Sequence, residues 1–288
     1  MPQQYTTQNL QLLDGLDAVR MRPGMYIGTT GLRGLHHLLW ELVDNAIDEV
    51  ANDFASEVEV TLYKDGSCSV WDNGRGVPVD MHPELGISGV ELIYTKLHAG
   101  GKFDGNNYSY SGGLHGVGAS VVNALSKWMQ VDSYRDWEHW QIRFETRYDA
   151  KERKTHAGRI ANPLEKVSNT RKRGTLVRFL PDDSIFEDVV FNADTIARRL
   201  RELAYLNGNA RIIFTDERAE PPANEPRVFH YEGGIADYVR YLNSDKNPLH
   251  PEPITFSAQK DSVLLECAMQ YTDAYTESVF SYVNNVPT

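Results

Sequence analysis

Residues 34–53 constrain the fold more than any other part of this chain. The stretch has no proline and, past Gly34, no glycine. Trp40, Val43, Ile47 and Val50 recur at three- and four-residue spacing, which predicts a helix with one apolar stripe. His37, Glu41, Asn45 and Asp48 fall at i, i+4, i+8 and i+11 and share the opposite face. A helix divided in this way needs an apolar layer to lie on, and the next residues supply one. Residues 58–63 and 69–71 alternate like strands. Between them Asp65-Gly66 suits a two-residue hairpin turn flanked by Lys64 and Ser67.

Further helices are predicted over 117–125, 193–206 and 234–242, and strands over 140–147 and 175–179. Residues 221–226, three of them proline, break the pattern and read as a linker. β-rich sequence follows to the end. Two domains are expected, 1–220 and 221–288.

Composition narrows the function classes. Among 288 residues, 29 Lys plus Arg face 40 Asp plus Glu, a net charge of −11. No run of about 18 apolar residues exists, so no membrane span is expected. The amino terminus has neither a basic nor an apolar signal region. Two distant cysteines, Cys68 and Cys267, suggest neither a disulfide framework nor a zinc site and fit a reducing cytoplasm. So acidic a chain should repel phosphate backbones unless its cations are segregated. They are, in part: residues 147–173 hold nine Lys/Arg against three acids, a local +6 that leaves −17 elsewhere. That segment reads as a solvated surface loop or, more sharply, as a patch for a partner or nucleic acid.

Three elements could carry chemistry. On the first long helix, a carboxylate beside an imidazole can act as general base, and an Asn carbonyl is a hard ligand suited to magnesium. A plain solvated face has the same spacing. Asp72-Asn73-Gly74-Arg75-Gly76-Val77-Pro78 reads either as a turn or as a buried Asp72 accepting an amino group, with glycines that let a flat ring approach. Ala99-Gly100-Gly101-Lys102-Phe103 and Ser111-Gly112-Gly113-Leu114-His115-Gly116-Val117-Gly118 read either as structural loops or as a lid whose N–H groups cradle phosphate. The lid is not a Walker loop, since no Lys-Ser or Lys-Thr follows its last glycine, and its glycine order is not that of the dinucleotide fingerprint.

In this order the three elements resemble the GHKL ATPase superfamily. Asp14-Gly15-Leu16-Asp17-Ala18-Val19-Arg20-Met21-Arg22-Pro23-Gly24-Met25-Tyr26-Ile27-Gly28, Glu41-Leu42-Val43-Asp44-Asn45-Ala46-Ile47-Asp48-Glu49, Leu97-His98-Ala99-Gly100-Gly101-Lys102-Phe103 and the lid are similar to motifs of type II DNA topoisomerases. The resemblance is closest to the B subunit of bacterial DNA gyrase, with the matching subunit of topoisomerase IV just behind. It runs on through residues 198–207 and 229–235 to 283–287. Arg22-Pro23-Gly24-Met25-Tyr26 and the lid spacing speak against the mismatch-repair, chaperone and histidine-kinase branches.

The resemblance implies an α/β (α+β) fold: a mixed sheet covered by helices, followed by the start of a second, transducer domain. It implies ATP and Mg²⁺ as cofactors. Glu41 would be the general base with His37 beside it, and Asn45 the metal ligand. Asp72 would accept the adenine amino group, helped by Thr175 through an ordered water. Gly76, Val77, Pro78 and Ile93 would line the base pocket, with Arg75 at its mouth paired to Glu49, and Asp48 nearby. Lys102, Tyr108 and the backbone of Leu114, His115, Gly116, Val117 and Gly118 would meet the nucleotide. Arg135 would form the rim that holds coumarin-type inhibitors, and Tyr5 and Leu10 would lie in an arm reaching a second copy. The other partners implied are the A subunit of gyrase and, through the intact enzyme, DNA. The resemblance stops inside the transducer domain, short of a lysine that relatives bring to the γ-phosphate. Slow or absent hydrolysis and no DNA cleavage are expected of residues 1–288, which leaves an ATP-binding gate module as the rival reading.

Overall fold

The computed structural model describes residues 15–99 and 116–288. Tyr5, Leu10, Lys102, Tyr108, Leu114 and His115 lie outside the described residues. Helices α1 (Gly15–Met21), α2 (Gly24–Ile27) and α3 (Leu32–Ala51) precede strands β1 (Glu57–Leu62) and β2 (Cys68–Asp72). After α4 (Gly89–Thr95) and α5 (Gly118–Ala124), strands β3 (Ser126–Arg135), β4 (Glu138–Asp149) and β5 (Lys154–Asn169) form a meander, and β6 (Gly174–Pro181) returns beside β3. Next come α6 (Ala193–Leu206), β7 (Arg211–Asp216), β8 (Arg227–Phe229), α7 (Gly234–Leu242), the hairpin β9 (Ile254–Lys260) and β10 (Val263–Met269), and short strands β11 (Tyr282–Val283) and β12 (Val286–Pro287).

The main sheet is mixed, in the order β5-β4-β3-β6-β2-β1-β7-β8, with β1 and β7 the parallel pair. Alternation along β1 buries Val58, Val60 and Leu62 on the face that α3 covers. On α3 the stripe is wider than the sequence suggests. Leu35, Leu38, Leu39, Leu42, Val43, Ala46, Ile47 and Val50 are all buried, because α5 packs on α3 as well as the sheet. Trp40 is only half-buried, stacked on His36. The helix also starts two residues earlier than expected, since bare Gly34 admits the Thr29 carbonyl against its backbone. Among the described residues no helix is long and apolar enough to cross a membrane.

Three local expectations change. The β1–β2 connection is wider than a two-residue turn: Tyr63 N–H donates to the Ser67 carbonyl at 2.9 Å, and Gly66 takes φ 83°. The Asp65 carboxylate accepts the Ser67 N–H at 3.0 Å, which tightens that wider loop. The basic segment 147–173 is not a loop, for most of it is edge strand β5 paired to β4. Its charges, its Pro163 and four shifts of register all blunt a sixteen-residue free edge. Finally, residues 221–226 join β7 to β8, which pair antiparallel within the same sheet, so this proline-rich stretch links two neighbouring strands. Beyond β8, Tyr205 of α6 stacks on Tyr231 at 3.8 Å and on Tyr238 of α7 at 5.1 Å.

Candidate active site

The polar face of α3 meets the start of α5. His37 Nε2 lies 3.1 Å from Glu41 Oε1, one helical turn away. That hydrogen bond raises the His37 pKa above the usual imidazole value against the opposing cost of burial, and the nearby Asp44 carboxylate adds to it. With Oε1 occupied by His37, Oε2 of Glu41 faces Gly118, the first residue of α5. A Cβ at 118 would overlap that oxygen and come 2.8 Å from Glu41 Cδ. Asn45 and Asp48 continue the face, Asn45 half-buried and Asp48 buried.

Asp72 ends β2 as a buried acceptor. Its Oδ1 accepts the Gly74 N–H at 2.8 Å. Burial pushes its pKa up to about 7, Gly74 opposing and the Glu49 charge adding, while the Thr175 N–H and Arg75 pull it down. Space around it is tight. A Cβ at Gly74 would stand 2.7 Å from both Asp72 Oδ1 and Glu49 Oε2, and one at Gly174 (φ 104°) would stand 2.6 Å from the Asp72 carbonyl carbon. Thr175 is the register partner of Asp72 on β6. Its hydroxyl accepts the Val77 N–H at 3.2 Å, while Ser133 donates to the Val77 carbonyl at 2.7 Å. Val77 is thus pinned between two strands.

Arg75 and Glu49 pair closely. Glu49 takes the Arg75 N–H and Nε at 3.1 Å each and Nη2 at 2.6 Å, and the guanidinium lies 3.5 Å above the Phe54 ring. Gly76 adopts φ 76°, and a side chain there would press on the Tyr134 carbonyl, Ser133 and the Cβ of Arg135. Arg135 therefore borders the same wall. Pro78 and Ile93 line a cavity of about 300 Å³ with Asp80, His82 and Leu92. Asp72 is not among the residues that line it.

A carboxylate–imidazole pair on α3 thus meets a glycine-opened helix, and two turns further along α3 Glu49 adjoins the buried carboxylate that ends β2. The family model described as "Histidine kinase-, DNA gyrase B-, and HSP90-like ATPase" matches residues 31–184, the span that carries all three. The chain belongs to this ATPase family.

A second family model, "DNA gyrase B", matches residues 234–288. The DNA gyrase B subunit of Halalkalibacterium halodurans is 49% identical over 99% of this chain and 43% of its own length. The DNA topoisomerase 4 B subunit of Enterococcus faecalis is 50% identical over 99% and 40%. The chain therefore spans about two fifths of these curated relatives. The 43K ATPase domain of Thermus thermophilus gyrase B, solved in complex with an aminocoumarin, superposes with a TM-score of 0.81 at 38% identity, covering 94% of this chain and 66% of that one.

Within this ATPase framework, the structure brings together Glu41, His37 and Gly118 in one group, and Asp72, Glu49 and Arg75 with Thr175, Val77 and Gly76 in a second, the two joined through α3. Gly116 (φ 59°) and the half-buried Val117 lead directly into α5. Sequence reasoning missed Ser133, Phe54 and Gly174. Only Gly174, next to Thr175, carried a local signal. It also missed buried His36, whose Nδ1 bonds to the Leu32 carbonyl at 2.9 Å and whose Nε2 accepts the Asn192 N–H at 3.0 Å. His36 fastens α3 to the N-cap of α6.

Proposed function

We propose that the chain is the ATP-binding and hydrolysing amino-terminal part of a bacterial type II DNA topoisomerase, in the first instance the B subunit of DNA gyrase. Its ATP-driven closure on a second copy would gate DNA passage in the cytoplasmic enzyme formed with the A subunit of gyrase. The single observation that carries this reading is the approach of Glu41 to Gly118. It sets a carboxylate, already held through one oxygen by His37, against the backbone that ends the glycine lid. In this arrangement Glu41 Oε2 accepts the proton of a water directed at the γ-phosphate, and His37 fixes the carboxylate's orientation. Asp72 takes the adenine amino group. A guanine would present a carbonyl to that buried carboxylate, which accounts for base choice.

The donor set fits Mg²⁺, because Asn45 offers a hard amide oxygen one turn beyond Glu41 and such ions take few protein ligands beside phosphate oxygens. Bound there, the ion would neutralise charge on the triphosphate. Arg135, bordering Gly76, would hold a coumarin-type inhibitor at the rim of the pocket, and the T. thermophilus relative was solved with an aminocoumarin. Residues 1–220 form the ATP-binding unit in this reading, while 221–288 open the transducer, with β8 lent to the main sheet. Topoisomerase IV is the second reading, supported by the near-equal identity to the E. faecalis protein.

The test is Glu41→Ala in the full-length enzyme, which should bind an ATP analogue in calorimetry yet lose turnover. Substantial hydrolysis would remove Glu41 from the role. Negative supercoiling with the cognate partner marks gyrase, and relaxation with decatenation alone marks topoisomerase IV.

A further inference from the structure

The basic segment that the ATP site leaves unused resolves, in three dimensions, into cations of two kinds. Along β4 and β5 most are neutralised: Lys154 by Asp17 at 2.8 Å, Lys166 by Glu138 at 2.6 Å, Arg147 by Glu145 at 3.3 Å. In the β5–β6 connection the pattern reverses. Arg171, Lys172 and Arg173 are consecutive and exposed, and among the described residues none of the three is ion-paired. Lys172 folds back over Trp71 and Tyr134, its Nζ 4.5 and 4.7 Å from the ring centres, while the two arginines on either side of it stay exposed.

The neighbouring β3–β4 turn adds an aromatic group. Asp136 and Trp137 take φ 52° and 65°, and Trp137 is 71% exposed at the tip. A bulky residue in the left-handed region is costly, and glycine or asparagine would serve such a turn better. The two connections are tied, since the Trp137 carbonyl accepts the Thr170 N–H at 2.9 Å. The result is one small platform of unneutralised guanidinium groups beside a flat indole, on a chain that is otherwise strongly acidic.

We propose that this platform, Arg171 and Arg173 with Trp137 beside them, is a contact for the phosphate backbone of duplex DNA. Guanidinium forks match phosphate oxygens in pairs. Two or three such contacts give weak, salt-sensitive and sequence-independent attraction, consistent with −11 for the whole chain. The choice of duplex DNA over another polyanion rests on the topoisomerase reading above. The patch itself does not.

The experiment is fluorescence anisotropy of a labelled duplex of about 30 base pairs with the 288-residue chain, titrated with salt. Binding should weaken steeply with salt, and Arg171→Glu/Arg173→Glu should lower affinity at least tenfold and reduce the log–log salt slope by about 2. Trp137→Ala should lose a few-fold. Duplex binding that is absent at low salt, or unchanged in the double variant, overturns the proposal. So does tighter binding of a single strand, or equal binding of polyglutamate, which would mark an acidic protein partner. ATP-analogue affinity measured on the same samples tests the ATPase reading separately, so a failure there is distinct from a failure of the patch.

Discussion

Gly118 and Glu41 touch, although one opens α5 and the other sits mid-way along α3, and no side chain fits between them. The obstacle to a larger residue is the end of a flexible carboxylate, which can swing aside. Gly118→Ala should therefore fold, within about 1 kcal/mol of the parent in urea. Its ATP turnover in the full-length enzyme should still fall at least tenfold, because in the proposed mechanism the displaced oxygen is the one that takes the proton of the attacking water. Undiminished turnover would show that this oxygen is not the base.

Gly174 offers the contrasting case. Its missing Cβ would strike the backbone of Asp72, which cannot swing away, and its φ of 104° suits no larger residue. Gly174→Ala should cost about 3 kcal/mol of stability from backbone strain and overpacking. Chemical denaturation with matched m-values measures it, and a loss below about 1 kcal/mol would contradict the packing described.

Asp72 should make nucleotide affinity depend on pH. Its pKa near 7 in the free chain means that the accepting carboxylate is scarce at pH 6 and prevalent at pH 8. ATP-analogue affinity should rise about tenfold across that interval. Asp72→Asn should bind about a hundredfold more weakly and show no such slope. A pH-independent wild-type affinity would remove the carboxylate from base recognition.

Adjacent histidines on α3 should titrate in opposite directions. Burial lowers the His36 pKa, so His36 favours folding above the unfolded value of 6.5 and that contribution is lost as pH falls through its lower folded pKa. The raised pKa of His37 contributes below 6.5 and is lost as pH rises through its higher folded value. NMR titration of the ring protons should place His37 above His36. The reverse order would contradict the burial of His36 or the His37–Glu41 hydrogen bond.

The reach of sequence reasoning can be traced through particular elements. Helix α6 was legible to the residue, because Asn192 caps it through the Thr195 N–H at 2.8 Å and its apolar period is unbroken. Strand β5 was not legible. An edge strand protects itself with the charges and proline that mark loops, so its local signal is inverted. The same holds for 221–226, where a strand-to-strand connection carries the composition of a linker. Candidate site residues were named from motifs and family resemblance, yet the hydroxyl of Thr175 bonds to Val77, 98 positions away, and nothing local to either residue shows it.

Periodicity and residue chemistry are local, and they were enough to predict α3, α5, α6 and α7, strands β1, β2, β4 and β6 and the chemical groups on offer, while α1, α2, α4, β3, β5 and β7 went unread. Those groups are a carboxylate beside an imidazole, an acid at a strand end and a glycine-opened helix. What the groups do was left to packing between distant segments. Only the approach of α5 to α3 gives Glu41 one oxygen bound to His37 and the other turned to Gly118. Only β6 beside β2 buries Asp72 deeply enough to move its pKa. The assembled sheet also selects which cations of the basic segment are neutralised and which remain at the β5–β6 turn. Burial, register and ion pairing join residues far apart in the chain, so they exist only once those segments have come together.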